Sequence, residues 1–158
     1  MTQASSVLIT TRRFMPRIIK SAIVPYTDQA MFDLVKDIRH YADFLPWCSG
    51  SSIVSETPSE VTGRLEISHL GMQQSFSTRN QLQPPSQMTL ELEDGPFDTF
   101  HGDWTFNALG ENACKVSLVL EFTFSNFLIG AAFGSVFEQI ANTLVDSFCQ
   151  RAKVVYGE

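Results

Sequence analysis

The spacing of apolar residues divides the chain into a strand, two helices, a run of strands and a final helix. The segment Arg17–Val24 predicts a first β-strand that ends before Pro25. A helix that Thr27 or Asp28 caps is predicted next. Its apolar residues recur at helical spacing, at Met31, Leu34, Val35 and Ile38.

A second, short helix is predicted over residues 40–44, because the residue before Pro46 avoids helical backbone angles. Ser49–Ser52 is then expected to form a flexible link. From there to Phe124 the period changes to two, and six segments of alternating apolar and polar residues predict an antiparallel sheet with one apolar face. The inward positions of the last strand are Cys114, Val116, Leu118, Leu120, Phe122 and Phe124.

The chain ends with an apolar stripe at i, i+4 spacing, which predicts one long helix from about Phe127 to Val155. This helix is the only predicted element large enough to cover the apolar face of the sheet. The fold class is therefore predicted to be α+β, with a curved antiparallel sheet of about seven strands wrapped around the C-terminal helix, in the order β-α-α-β6-α. A curved sheet that grips a helix leaves a space between them where a ligand would bind.

The first 14 residues are predicted to be a disordered extension, and residues 15–158 are predicted to form one domain. In the extension the apolar stretch precedes Arg12 and Arg13, which is the reverse of the order in a signal peptide. A start codon assigned too early, with Met15 as the natural start, would account for the same pattern.

Composition favours a single folded domain that binds apolar material. The 158 residues are 44% hydrophobic and 18% charged, and they include 13 Phe against three Tyr and two Trp. Phe supplies apolar area without a polar group, so these rings are expected to line a core, a cavity or an interface. The net charge of −6 argues against non-specific nucleic-acid binding, and no DNA partner is expected, although a local basic patch would still be compatible with this charge.

Cysteine and histidine usage does not indicate a metal site. The three cysteines are far apart and form no C-x-x-C pair, which fits reduced thiols in a cytoplasmic protein better than a disulfide framework or zinc ligands. They are Cys48, Cys114 and Cys149. We therefore expect neither a metal nor a required cofactor.

Candidate catalytic residues are sparse. The chain contains no G-x-S-x-G, no phosphate-binding loop, no G-x-G-x-x-G after a strand and no H-E-x-x-H. His69 is the only ionisable side chain that strand parity places firmly on the inward face, whereas Glu66 and Asp103 fall on the outward face. A pair of carboxylates facing the cavity is therefore not supported, and a binding protein is favoured over an enzyme.

The run Gly130–Gly134 allows two interpretations. Small side chains let the helix pack closely on the sheet, or they leave a gap for a ligand.

Six segments, taken in order, resemble one known family. They are Val24–Tyr26, Tyr41–Cys48, Phe76–Asn80, Asp94–Phe97, Trp104–Phe106 and Gln150–Ala152. Together they resemble the RatA and coenzyme Q-binding protein family of the START-like (polyketide cyclase/dehydrase and lipid transport) superfamily, over about residues 15–157. Two positions depart from the family pattern: Ala42 replaces the proline usual after Tyr41, and Trp47 stands where RatA-type members often have glycine, at one mouth of the expected pocket.

The resemblance implies a helix-grip fold and two binding activities. The coenzyme Q branch binds a polyprenyl quinone and supports respiration, so a ubiquinone-like lipid is the expected ligand. The RatA branch is a toxin that associates with the large ribosomal subunit and blocks subunit joining, which is the alternative, and a cyclase-type enzyme is the less favoured third. A cytoplasmic protein is expected, with transient contact at the surface of the inner membrane.

Ribosome binding would require the basic residues to gather on one face. The candidates are Arg12, Arg13, Arg17, Lys20, Arg79, Arg151 and Lys153.

The expected ligand site combines inward positions of the sheet and C-terminal helix with the segment after the second helix. It comprises Phe44, Leu45, Trp47, Leu65, Ile67, Phe76, Thr78, Trp104, Phe106, Leu120, Phe122, Phe133, Phe137 and Ile140. Thr78, Asn80 and His69 are the polar groups expected to orient a quinone carbonyl. A charge introduced at Phe106 or Phe137 is expected to abolish ligand retention.

Overall fold

Seven strands form one antiparallel sheet, in the order β1-β7-β6-β5-β4-β3-β2, in the computed structural model, which describes residues 17–157. The strands are β1 (Arg17–Val24), β2 (Cys48–Thr57), β3 (Glu60–His69), β4 (Met72–Gln83), β5 (Gln87–Asp94), β6 (Phe97–Ala108) and β7 (Cys114–Phe124). Strands β2 to β7 are neighbours in sequence order, so that β2 pairs with β3 and so on up to β6 with β7, and β1 pairs with β7. The predicted α+β architecture with an antiparallel meander is confirmed.

Four α-helices accompany the sheet in the described part of the chain. They are α1 (Asp28–Lys36), α2 (Tyr41–Phe44), α3 (Phe127–Asn142) and α4 (Leu144–Tyr156), and a 3-10 turn (Ile38–His40) precedes α2. Thr27 caps α1, because its hydroxyl oxygen accepts from the backbone N–H of Ala30 at 3.1 Å. Asn126 caps α3 in the same way, with Oδ1 accepting from the N–H of Ile129 at 2.8 Å.

The expectation of one long C-terminal helix is wrong. The helix is interrupted at Thr143, and α3 and α4 are bent relative to each other by 43°. The Thr143 hydroxyl donates to the carbonyl of Ile140 at 2.8 Å, a local bond that competes with the regular helical pattern and bends helices. The apolar stripe continues on both sides of Thr143, so periodicity alone did not reveal the break.

The expected flexible link at Ser49–Ser52 is also wrong, since these residues lie in β2 and pair with β3. Ser51 connects this strand to the helical segment before it: its hydroxyl donates to the carbonyl of Arg39 at 3.1 Å and accepts from the N–H of Ala42 at 3.2 Å. The predicted extension over residues 1–14 lies outside the described residues.

The core lies on the concave face of the sheet, beneath the helices, and contains two groups of aromatic rings. The first group, the Phe cluster, comprises Phe76, Phe97, Phe100, Phe122, Phe124, Phe133 and Phe137. The second group, the Trp104 cluster, comprises Phe32, Tyr41, Phe44, Trp104, Phe106 and Phe148. Most of these rings meet edge to face or tilted, an arrangement that the aromatic quadrupole favours.

No single helix within residues 17–157 is long and apolar enough to cross a membrane. The bent pair α3 and α4 meets that criterion together, by length and composition alone.

Candidate ligand-binding site

A cavity of about 60 Å³ lies between the concave face of the sheet and the helices, with walls drawn from both aromatic clusters. Its wall is formed by Ile38, Tyr41, Trp47, Gly63, Leu65, Phe76, Thr78, Asn80, Leu90, Phe100, Trp104, Leu118, Leu120, Phe137, Ile140, Leu144 and Phe148. None of these wall residues in the described chain carries a formal charge, and most are aliphatic or aromatic.

Thr78 and Asn80 form a polar pair in this apolar wall. Both share the inward parity of β4 with Phe76, and both are less than a tenth exposed. The Thr78 hydroxyl donates to Oδ1 of Asn80 at 2.9 Å. The amide nitrogen of Asn80 has a weak partner, the Sδ of Met88 at 4.0 Å, so it keeps donor capacity for a further hydrogen bond.

Tyr41 is the one ionisable side chain in the cavity wall among residues 17–157. Its hydroxyl donates to the backbone carbonyl of Val35. Burial raises the pKa of Tyr41 far above its ordinary value, and the nearby carboxylate of Asp37 raises it further. The phenol is therefore neutral at any physiological pH.

Trp47 occupies the segment between α2 and β2. Its backbone carbonyl accepts from the N–H of Ser68 at 2.8 Å, which ties this segment to the end of β3. The side chain is 6% exposed, and its indole Nε1 is a buried donor without a hydrogen-bond partner in the described part of the chain.

The structure places eight of the fourteen expected site residues at the cavity wall. These are Trp47, Leu65, Phe76, Thr78, Trp104, Leu120, Phe137 and Ile140. Their assignment to ligand binding itself stays a prediction.

The other six expected residues are buried or half-buried but lie away from the cavity wall: Phe44, Leu45, Ile67, Phe106, Phe122 and Phe133. Phe106 packs against Phe32 of α1 and stacks on Trp104, with ring centroids 5.7 and 6.2 Å away. A charge at Phe106 would therefore disturb the core under α1 rather than the cavity directly.

Phe122 and Phe133 belong to the Phe cluster. The ring of Phe44 packs against Phe148, and the guanidinium carbon of Arg151 lies 5.0 Å from the centroid of the Phe44 ring. Leu45 and Ile67 are fully buried core residues. Leu45 lies just before β2, and Ile67 lies in β3 opposite Cys48 of β2.

Of the expected polar groups, His69 does not reach the cavity. It lies half-buried at the hairpin between β3 and β4, where it pairs with Met72.

Nine wall residues were missing from the expected set, although Asn80 had been singled out as a polar candidate. They are Ile38, Tyr41, Gly63, Asn80, Leu90, Phe100, Leu118, Leu144 and Phe148. Alternation along the strands places several of them on the inward face; Phe100, for example, shares a face of β6 with Trp104. Leu144 and Phe148 continue the helical stripe beyond the bend at Thr143 and also line the cavity.

The glycines in α3 do not decide between the two interpretations of the run Gly130–Gly134. A Cβ added at Gly130 or Gly134 would lie 3.6 or 3.5 Å from the side chain of Phe124, an ordinary van der Waals distance. Neither glycine lines the cavity. Alanine would therefore fit at both positions, so the packing of α3 against β7 does not require glycine there.

Two of the three cysteines, Cys48 and Cys114, are buried, and Cys149 is half-buried. All three are free, and burial raises the pKa of Cys48 and Cys149 and raises that of Cys114 to about 11. Within residues 17–157, no three His, Cys, Asp or Glu side chains are grouped so that they could hold a metal ion.

A sheet curved around C-terminal helices, with an apolar cavity between them, defines a START-like helix-grip protein. The chain belongs to the polyketide cyclase/dehydrase and lipid transport family, whose model matches residues 24–149. This confirms the family resemblance and the fold that it implied.

Comparison with individual proteins narrows the relationship. The chain is 47% identical over 138 residues to the ribosome association toxin RatA of Pseudomonas aeruginosa, covering 87% of this chain and 96% of that protein. It is 22% identical over 142 residues to the mitochondrial coenzyme Q-binding protein COQ10 homolog B of Xenopus laevis, covering 87% of this chain and 58% of that protein. The crystal structure of the Zhui aromatase/cyclase from Streptomyces sp. R1128 is similar in fold, with a TM-score of 0.75 at 17% identity, over 89% of this chain and 96% of that one.

Proposed function

We propose that the protein binds a hydrophobic molecule, a polyprenyl quinone of the ubiquinone type, in the cavity, in support of respiration and without catalysing a reaction. The observation that carries this proposal is the apolar cavity with a buried polar pair, Thr78 and Asn80, in its wall. A relative named for coenzyme Q binding supports the same ligand class.

The polarity of the wall suits a quinone ring. Transfer of apolar surface from water to such a wall is favourable by about 25 cal/mol per Å². A charged ligand would be buried without a counter-charge, because the described wall contains no ionised side chain. Uncharged carbonyl oxygens, in contrast, accept hydrogen bonds from the amide of Asn80 at no such cost.

A binding role without catalysis follows from the chemistry of the wall. General acid–base catalysis needs groups whose pKa values lie near the working pH. Tyr41 is far from this range, because burial raises its pKa and its proton is donated to the carbonyl of Val35. The wall therefore offers shape and hydrogen bonds but no proton donor or acceptor suited to catalysis at neutral pH.

The size of the cavity implies that binding requires movement of its wall. Ligand sites commonly enclose about 300–1,000 Å³, whereas this cavity measures about 60 Å³. α3 is the element best suited to move, since its first turn exposes Phe127 and Leu128 and a Cβ added at Gly130 or Gly134 would still find room against Phe124.

A titration of the full chain with decylubiquinone, followed by calorimetry, tests the proposal. Phe137→Glu places a charge in the wall, so we expect affinity to fall at least about tenfold. Phe127→Glu is the matched control, because it makes the same change on the same helix at a side chain that is 83% exposed. The proposal fails if the unmodified chain shows no binding, or if Phe127→Glu weakens binding as much as Phe137→Glu.

A second variant covers the case in which Phe137→Glu does not fold. Leu90→Phe adds apolar volume at a half-buried position of the wall and introduces no charge. We expect it to fold and to bind decylubiquinone more weakly than the unmodified chain. Unchanged affinity in this variant would place the ligand elsewhere.

Association with the large ribosomal subunit is the second candidate function. It is favoured by 47% identity to a protein named as a ribosome association toxin over nearly the full length of both chains. Against it, the net charge is −6, and two of the candidate cations are in ion pairs: Arg17 with Glu121 at 3.1 Å and Arg79 with Glu93 at 2.7 Å. Arg12 and Arg13 lie outside the described residues.

Cosedimentation with purified large subunits decides this second candidate. We expect the protein to move with the subunits at low salt and to be released as salt rises, because contacts to phosphates are salt-dependent. A protein that stays at the top of the gradient at low salt would contradict ribosome association.

A further inference from the structure

The indole N–H of Trp47 is an unusual group in this molecule. Buried donors in folded proteins nearly always have a hydrogen-bond partner, because an unpaired one loses its bond to water and gains nothing in return. Nε1 of Trp47 is buried, yet it has no partner within residues 17–157. The side chain is 6% exposed and lies in the wall of the cavity.

The backbone around Trp47 is held firmly, so the unpaired donor does not sit in a loose loop. The Trp47 carbonyl accepts from Ser68 at 2.8 Å, and the N–H of Cys48 donates to the carbonyl of Leu45 at 2.9 Å. Both polar groups of the peptide bond between Trp47 and Cys48 are therefore hydrogen-bonded, which fixes the backbone that carries the indole.

Asn80 supplies a second donor that is not fully used. Its Oδ1 accepts from Thr78, but its Nδ2 meets only the weak acceptor Sδ of Met88, at 4.0 Å, among the described residues. Trp47 and Asn80 thus give the cavity wall spare donors, and no wall residue in the described chain is ionised.

We propose that Trp47 is the specificity-determining residue of this cavity, and that its indole N–H donates a hydrogen bond to an uncharged acceptor oxygen on the ring of the ligand. The inference rests on the proposed function, since it assigns the polar contact of the same site. A ring that carries carbonyl or ether oxygens satisfies the donor of Trp47, whereas a plain hydrocarbon ring leaves it unpaired. Discrimination against a ligand that lacks the required polar atom is strong when the protein group is buried.

Two probes of similar shape separate this hydrogen bond from general apolar binding. Decylubiquinone carries four acceptor oxygens on its ring, whereas decylbenzene has the same tail and no acceptor. Trp47→Phe removes the N–H and keeps an aromatic ring. Phe100→Leu is the control, because it also removes aromatic volume from a buried position in the same wall and takes away no hydrogen-bond donor.

We expect Trp47→Phe to weaken decylubiquinone binding by up to about tenfold, the usual range for one hydrogen bond, and to leave decylbenzene binding within about twofold. Phe100→Leu should change the affinity for both probes by similar factors, since it alters packing alone. Calorimetric titration of both variants with both probes gives four dissociation constants, and each is compared with the value for the unmodified chain.

Two results would overturn the role of Trp47 and leave the proposed function intact. One is an unmodified chain that binds decylbenzene as tightly as decylubiquinone. The other is a Trp47→Phe variant that loses affinity for both probes equally, which would show a packing role. An unmodified chain that binds neither probe would instead overturn the proposed function and this inference with it.

Discussion

Gly95, in the turn between β5 and β6, determines the position of a cavity-wall ring. Its φ of +151° lies in a region that side chains rarely adopt, and a Cβ added there would meet the Cβ of Phe76 at 2.5 Å. Phe76 lines the cavity. The requirement for glycine at this position therefore comes from both the backbone and the packing of the wall.

We expect Gly95→Ala to destabilise the protein more than Gly110→Ala by about 1–3 kcal/mol, the usual cost of overpacking. Gly110 is the matched control, because its φ is also positive, at +107°, but nothing lies within 4 Å of an added Cβ. Urea unfolding of both variants measures the difference. Equal destabilisation would show that the contact with Phe76 contributes nothing.

His101, on the outer face of β6, couples stability to pH. Its Nδ1 lies 2.7 Å from a carboxylate oxygen of Glu91, and its Nε2 lies 3.0 Å from one of Asp103. Partial burial lowers the pKa of His101, but the hydrogen bonds to the two carboxylates outweigh this effect and raise it above its ordinary value of 6.5.

The protonated form of His101 therefore stabilises the folded protein below about pH 6.5, and this contribution is lost as the pH rises through the raised pKa. We expect the unfolding free energy of the unmodified chain to exceed that of His101→Gln by less than about 1 kcal/mol at pH 5.5, because the side chains are partly exposed, and by less still at pH 8. Urea unfolding at both pH values measures this, with His69→Gln as the control. A difference that is the same at both values would contradict the account.

Strand parity could predict which face of the sheet each residue occupies, but not which helix covers it. Trp104 and Phe106 share one face of β6, as the alternation predicts, and both are buried. Phe106 lies under α1 against Phe32, whereas Trp104 lies at the cavity. The difference depends on where the helices cross the sheet, which no residue pattern within a strand encodes.

At the scale of elements, the break between α3 and α4 decides the shape of the cavity. The uninterrupted apolar stripe predicted a single helix through Thr143. The structure has two helices that meet at 43°, and Ile140, Leu144 and Phe148, on either side of the break, all line the cavity. The hydrogen bond from the Thr143 hydroxyl to the carbonyl of Ile140 cannot be read from the sequence. A threonine inside an apolar stripe does not by itself predict a break in the helix.

The N-terminal cap of α3 is expected to control opening of the cavity. Asn126→Ala removes the hydrogen bond to the N–H of Ile129, which should cost about 1 kcal/mol and loosen the first turn of the helix. We expect hydrogen exchange over residues 127–133 to become about fivefold faster and decylubiquinone to bind and dissociate faster.

Thr27→Ala is the matched control for this prediction, because it removes the equivalent cap of α1, where Thr27 accepts from Ala30 at 3.1 Å. It should cost similar stability and leave the rates of ligand exchange unchanged. If Thr27→Ala changes those rates as much as Asn126→Ala does, α3 is not the moving wall.

At the scale of the whole molecule, the order of elements and the one-sided apolar sheet were sufficient to predict the architecture. The alternation in β7 and the helical stripe after Phe127 each required a partner surface, and each is the other's partner in the structure. The sequence pattern could not predict the volume of the cavity, because that volume depends on how closely α3 and α4 approach the sheet. The Phe-rich composition fits a packed core and a ligand cavity equally well, and the structure contains both.

The central claim is that the cavity between the sheet and the C-terminal helices holds a quinone-type lipid. The most direct measurement is extraction of the full chain, purified without detergent, followed by mass spectrometry of the extracted lipid. The account predicts a polyprenyl quinone that accompanies the unmodified chain and the Phe127→Glu variant and is absent from Phe137→Glu. Recovery of no quinone from the unmodified chain, or of equal amounts from all three proteins, would contradict it.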